Sequence, residues 1–128
     1  MPKHNLEAVK SLCRRGAGGV TFTARTKSLD CIVTVLKCEP DEAVEICLQG
    51  ILLLQPRDFS HRLMQWNDVD CIADVYGLED YEGNNWYVKF LLYEEDGETR
   101  LEEISFHLPV KDLPLKDGRT LPGRGRIK

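Results

Sequence analysis

Polar side chains that can move protons or hold a phosphate recur at every second position of two segments in the C-terminal half. Tyr87 and Lys89 belong to the first segment, and Glu103, Ser105 and His107 belong to the second. Because alternate residues of a strand point to the same face, each set shares one face of a predicted sheet.

The chemistry that these residue types suit is cleavage of RNA without a metal. That reaction needs a proton acceptor for the 2′-hydroxyl, a proton donor for the leaving 5′-oxygen and a group that stabilises negative charge. Histidine moves protons near neutral pH, lysine holds phosphate, and tyrosine hydrogen-bonds or stacks on a base. The hydrated side of an ordinary half-exposed sheet carries similar residues, and the residue types alone leave both interpretations open.

Three strands are predicted to position these side chains, at about residues 71–77, 85–94 and 98–108. The apolar residues of the last two strands are expected to face the core, and they are Trp86, Val88, Phe90, Leu92, Ile104, Phe106 and Leu108. A two-residue Asp96-Gly97 turn would set Ile104 opposite Lys89. We therefore favour a three-residue loop that ends in a left-handed Gly97.

In the first of these strands, Ala73 and Val75 suit the core. Their alternates Asp74 and Tyr76 are then expected on the polar face, where they would contact a substrate. For Asp74, bracing a neighbouring donor is the preferred interpretation over acting as a base.

Three helices are predicted ahead of the sheet. Asn5 caps the first, a second is expected to include residues 29–36, and Pro40 opens the third, which Pro56 ends. Asp58 is expected to cap a short turn that carries residues 59–63. Helices followed by strands favour an α+β class, with N-terminal helices packed on a C-terminal antiparallel sheet.

The length of 128 residues predicts one domain. No apolar run approaches the roughly 20 residues that cross a membrane, and the first residues lack an apolar signal segment, so we expect a cytoplasmic protein. The five cysteines contain no Cys-x-x-Cys pair and are expected to be reduced, buried thiols. We expect neither a metal nor another cofactor.

Charge is distributed unevenly along the chain. The net charge is −4, but residues 111–128 carry six basic and two acidic side chains. Residues 1–110 are therefore interpreted as a single α+β domain and residues 111–128 as a basic C-terminal tail. The tail is either a solvated terminus or an arm that contacts RNA or a partner, with Arg124 and Arg126 as candidate contacts.

Five short motifs, in order, resemble the MqsR (motility quorum-sensing regulator) family of toxin ribonucleases. They are Leu6-x-x-Val9-Lys10-x-Leu12, Asp58-Phe59, Asp74-Val75-Tyr76, Tyr87-Val88-Lys89 and Ser105-Phe106, and they span about residues 4–108. The resemblance implies a RelE-like microbial ribonuclease fold, cleavage of single-stranded messenger RNA without a metal, and neutralisation by a cognate antitoxin protein.

The resemblance also implies site residues. The family's functional tyrosine corresponds to Tyr87, and two functional lysines correspond to His61 and His107. A glutamine and a tryptophan of the family are replaced by Ala73 and Ile72. A lysine-to-histidine change exchanges a fixed charge for a titrating group.

These considerations give a set of expected site residues. The catalytic candidates are His61, Tyr87, Lys89 and His107, and the substrate-binding candidates are Arg62, Asp74, Tyr76, Ser105, Arg124 and Arg126. Arg62, next to His61, is expected to contact phosphate. The alternative function is a non-catalytic binding module of the same fold, which the acidic body and the replaced lysines favour.

Overall fold

The computed structural model describes residues 1–22 and 25–123. The helices of this part are α1 (Leu6–Arg14), α2 (Arg25–Leu36) and α3 (Pro40–Leu53). The strands are β1 (Val20–Phe22), β2 (Phe59–Gln65), β3 (Asp68–Tyr81), β4 (Asn84–Glu95), β5 (Glu98–His107), β6 (Leu113–Pro114) and β7 (Thr120–Leu121). The α+β class is confirmed. No helix among the described residues combines the length and apolar character needed to cross a membrane.

The larger sheet has the strand order β1-β5-β4-β3-β2. All neighbours in it are antiparallel except β1 and β5, which are parallel. The helices cover one face, and the main core lies between them and the sheet. We call the opposite face of this sheet the outer face.

The predicted helices are confirmed, together with the local features that favoured two of them. The Asn5 carboxamide oxygen accepts a hydrogen bond from the Ala8 N–H at 3.0 Å, which caps α1. Pro40 occupies the first turn of α3, where its missing N–H costs nothing. The buried side of α1 consists of Val9, Leu12 and Cys13, as the helical spacing predicts.

The segment after α3 differs from the prediction. The Asp58 carboxylate accepts from the Gln55 N–H at 2.8 Å and caps a short helical turn, Pro56–Asp58. Residues 59–63 do not continue that turn but belong to β2, the edge strand beside β3. Pairing with β3 satisfies backbone groups that an isolated turn would leave to water.

The connection between β4 and β5 was predicted wrongly. Glu95 lies opposite Glu98, so the turn contains only Asp96 and Gly97, both with a positive φ. The register then shifts by one residue further along, where Lys89 pairs with Ser105 and Phe90 pairs with Glu103. The extra residue is thus accommodated in a β-bulge instead of the loop.

This bulge exchanges the faces of two residues of β5. Glu103 faces the helices and is fully buried, whereas Ile104 packs with Ala73 and Leu91 in a separate cluster on the outer face. Beyond the bulge, Phe106 lies in the main core as expected. The bulge therefore corrects the predicted faces of Glu103 and Ile104 and leaves those of Ser105 and His107 unchanged.

The C-terminal segment also differs from the solvated arm that its charge suggested. We call residues 113–121, which contain β6 and β7, the C-terminal hairpin. Its buried leucines, Leu113, Leu115 and Leu121, pack on Val75 of the outer face. A Cβ atom added at Gly77 would lie 2.7 Å from Leu115 Cδ2 and from Leu121 Cδ1, so only glycine allows this close approach.

Candidate functional site

All four predicted catalytic side chains lie on the outer face of the sheet. Residues that are directly opposite on neighbouring strands point to the same side of the sheet. One row across β2, β3, β4 and β5 contains His61, Val75, Lys89 and Ser105. The adjacent row contains Gly77, Tyr87 and His107.

Tyr87 and His107 form the best-defined contact of this surface. Their rings stack with centroids 4.9 Å apart and planes inclined by 11°. Partial burial raises the pKa of Tyr87, so its hydroxyl keeps its proton and remains a hydrogen-bond donor. The stack restricts the rotation of the His107 ring.

The hydrogen bond of His107 defines which ring nitrogen carries the proton. Its Nδ1 lies 2.8 Å from the carbonyl oxygen of Leu108. A carbonyl oxygen can only accept, so Nδ1 must be the donor, and in the neutral ring Nε2 keeps its lone pair. His107 is therefore prepared to accept a proton at Nε2.

Lys89 stands diagonally from His107 on the neighbouring strand. Such diagonal neighbours in an antiparallel pair are about 7–8 Å apart, a distance that one phosphate group can bridge. Burial lowers the pKa of Lys89, which makes its ammonium a better proton donor. Ser105, directly opposite Lys89, is half-buried and adds a hydroxyl to the cluster of Tyr87, His107 and Lys89.

His61 lies on the same face but apart from this group. It is exposed on the edge strand, two strand spacings from Lys89, or roughly 10 Å. Three strand spacings and two residues along the strand separate it from His107, or roughly 16 Å. The C-terminal hairpin covers Val75 on β3, between His61 and Lys89. The structure thus does not bring the two predicted histidines together around one phosphate.

Three expected substrate-binding residues lie on the helix side of the sheet. The Arg62 guanidinium donates from Nε to the Met1 carbonyl at 2.7 Å, so it anchors the N-terminal segment. Asp74 is fully buried and accepts from the backbone N–H groups of Lys3 and His4, each at 2.8 Å. Asp74 thus holds backbone N–H donors in place, as its sequence context predicted. These donors lie on the helix side and not on the polar face where a substrate was expected.

Tyr76 also lies on the helix side and not on the polar face where the sequence placed it. It is fully buried and stacks on Phe90 with centroids 5.4 Å apart, so it belongs to the core and not to the polar face. Ala73 and Val75 are buried as predicted, but on the outer face, beneath the hairpin and the small Leu91 cluster. Arg124 and Arg126 lie outside the described residues.

Comparison of the chain with protein-family models, curated proteins and solved structures finds no match. Within the described ranges, no group of three or more His, Cys, Asp or Glu side chains is arranged to hold a metal ion. The five cysteines are free thiols, but the expected burial holds only for Cys13 and Cys47, and the other three are partly exposed.

Two features of the site escaped the sequence analysis. Arg119, assigned to a basic tail, pairs with Asp117 of the same hairpin at 2.7 Å. Its ion pairs with Asp58 at 2.7 Å and Glu79 at 3.1 Å fasten the C-terminal hairpin to the turn before β2 and to β3. The hairpin had a local signal, since the Asp117-Gly118 pair is typical of a tight turn and alternating leucines precede it. The second feature is Ser60, whose contacts depend on the folded hairpin.

Proposed function

We propose that this protein is an endoribonuclease toxin that cleaves single-stranded messenger RNA on the outer face of a RelE-like sheet, without a metal. The observation that carries the proposal is the group of Tyr87, His107 and Lys89, in which a stacked histidine faces a half-buried lysine. The resemblance of five ordered sequence motifs to the MqsR toxins supports the same reaction.

In the proposed reaction, His107 Nε2 takes the proton of the ribose 2′-hydroxyl as its oxygen attacks the adjacent phosphorus. The new bond between the 2′-oxygen and phosphorus forms while the bond to the 5′-oxygen breaks, and the Lys89 ammonium donates a proton to that oxygen. The products are a 2′,3′-cyclic phosphate and a 5′-hydroxyl. Tyr87 holds the His107 ring and offers its hydroxyl to the phosphate.

We also propose that a protein partner neutralises the toxin. Apolar side chains are exposed at the turn after the edge strand and at the start of β3, with 57 % of Trp66 and 76 % of Val69 accessible. Exposed apolar groups of this kind are typical of protein interfaces. The same observation favours the second candidate function, a binding module that acts through this edge and cleaves nothing.

The experiment that tests activity compares variants of the purified protein on single-stranded RNA in the presence of EDTA. His107→Ala and Lys89→Ala are each expected to slow cleavage by about 10²- to 10⁴-fold, the usual contribution of a general acid or base. Lys10→Ala on α1, on the opposite side of the sheet, is the matched control and should cleave normally. Intact RNA at high concentrations of the unaltered protein would contradict the proposal.

Induced expression distinguishes the two candidate functions in cells. A toxin should stop growth and fragment messenger RNA, and co-expression of the small protein encoded in the neighbouring reading frame should restore growth. Normal growth with intact transcripts would favour the binding module.

A further inference from the structure

The hydroxyl of Ser60 connects the C-terminal hairpin to His61. Ser60 Oγ donates to the carbonyl oxygen of Pro114 at 2.6 Å. The same oxygen lies 2.9 Å from Nδ1 of His61. Ser60 is the residue at which the register of β2 shifts against β3, so its side chain reaches the hairpin while the next side chain stays on the outer face.

The direction of these two hydrogen bonds follows from the chemistry of the groups. A hydroxyl has one hydrogen, and the Pro114 carbonyl can only accept it. Ser60 Oγ must then accept from His61, so Nδ1 of His61 carries a proton. In the neutral ring, Nε2 keeps its lone pair.

Several contacts hold the Pro114 carbonyl in place next to Ser60. The Lys116 N–H donates to the Phe59 carbonyl at 2.7 Å, next to Ser60. Arg119 binds the Asp58 carboxylate at 2.7 Å, and the buried leucines of the C-terminal hairpin cover Val75. The hairpin is thus a fixed part of the outer face, and the Pro114 carbonyl keeps its place beside β2.

We propose that the C-terminal hairpin, acting through Ser60, fixes His61 as a hydrogen-bond acceptor for a donor group of the RNA, either a ribose 2′-hydroxyl or an N–H of a base. This inference rests on the proposed function, because it assigns a role to His61 on another nucleotide of the RNA, roughly 16 Å from His107. A neutral ring that presents a lone pair repels phosphate oxygens. The proposed task of His61 therefore differs from the phosphate contact that the sequence predicted for its neighbour Arg62.

The ring tautomers are measured by long-range ¹H–¹⁵N spectra of the full chain at alkaline pH, where imidazoles are neutral. His61 is expected to show a protonated Nδ1. In Ser60→Ala it should shift toward the Nε2–H form that free histidine prefers in water, and Ser60→Thr should restore the original form because it keeps the hydroxyl.

The other two histidines are internal references in the same spectra. His107 should keep its Nδ1 proton in every variant, because a backbone carbonyl holds it. His4 should show the opposite form, since its Nε2 lies 2.7 Å from the Ile72 carbonyl. Ser11→Ala on α1 is the matched serine control. A His61 ring that keeps its Nδ1 proton in Ser60→Ala would overturn the proposal, whatever the protein does with RNA.

The ligand is tested by binding of a single-stranded oligoribonucleotide and its 2′-deoxy counterpart, in a His107→Ala background that leaves the RNA uncut. Adding His61→Ala or Ser60→Ala should weaken binding of the oligoribonucleotide by about 2- to 12-fold, the range for one hydrogen bond. If only the ribose form is weakened, the donor is the 2′-hydroxyl; if both are weakened equally, it is a base N–H.

Equal affinities with and without His61 would overturn the assignment of this ligand. The spectra separate that failure from failure of the proposed function. A protein that neither binds nor cleaves RNA, but whose His61 tautomer depends on Ser60, refutes the ribonuclease and retains the role of the hairpin.

Discussion

Replacing the buried Glu103 with glutamine is expected to stabilise the protein at alkaline pH. The β-bulge turns this carboxyl into the core, where it is fully buried. Burial raises its pKa from 4.5 to about 7, with a smaller opposite effect of the Ser28 hydroxyl and a further increase from Glu102. Burial raises the pKa of the Cys47 thiol, and the nearby Glu103 carboxylate raises it further.

The sign of the effect follows from proton linkage. The folded protein holds the Glu103 proton up to about pH 7, whereas the unfolded chain releases it near pH 4.5. Between these values the folded state binds more protons, so the free energy of unfolding falls as the pH rises. At about 1.4 kcal/mol for each pKa unit, the loss approaches about 3 kcal/mol above pH 7.

Glu103→Gln removes the ionisation and keeps the shape. Urea denaturation followed by circular dichroism at about pH 5 and about pH 8 measures the effect, and 3 kcal/mol corresponds to a midpoint shift of about 1–3 M urea. The variant should gain this stability only at the higher pH. Glu102→Gln, the half-exposed neighbour on the opposite face, is the control and should change less because water solvates its charge.

If Glu103→Gln follows the pH dependence of the unaltered protein, the carboxyl is not in the core. The bulge between Lys89 and Phe90 would then be misplaced, and Ile104 would occupy the helix side. Ser105 and His107 would keep their places on the outer face, because the bulge does not change the faces of these two residues.

Two further predictions concern the C-terminal segment. Arg119→Ala should lower the free energy of unfolding by about 1–2 kcal/mol, because it removes charged hydrogen bonds to Asp58 and Glu79. The loss is limited because 27 % of the Arg119 side chain is exposed to water. An unchanged urea midpoint would show that the leucines alone hold the C-terminal hairpin. Ending the chain after Gly123 should leave the fold intact. If Arg124, Arg126 and Lys128 contact phosphates, this truncation should reduce the slope of RNA affinity against salt concentration by about one unit for each lost contact. An equal slope would mean that these side chains do not bind RNA.

Local patterns in the sequence determined the helices and most of the strands. The cap at Asn5, the proline at position 40 and the helical spacing of apolar residues act within a few residues of the chain. The face of β4 that carries Trp86, Val88 and Phe90 was equally clear, because one side of that strand is strongly apolar. These features led directly to Tyr87 and Lys89 on the opposite face.

The faces of β5 could not be fixed in the same way. The sequence showed that one extra residue was needed to bring apolar side chains of the two strands to one side, and this reasoning was sound. A loop and a bulge both supply that residue, and they differ only in contacts between distant parts of the chain. The packing of Phe106 with Trp86 in the core accompanies the bulge and the inward carboxyl of Glu103.

The surroundings of the candidate site depended on tertiary structure most of all. Alternation along β3 was misleading because both of its faces are buried, one by the helices and the other by the C-terminal hairpin. Asp74 and Tyr76 were therefore assigned to the wrong side. Sequence alone determined that Tyr87, Lys89 and His107 share a face. The tertiary structure brought His61 to that face by placing it in β2, and the folded hairpin over Val75 separates it from the other three and connects it to Ser60.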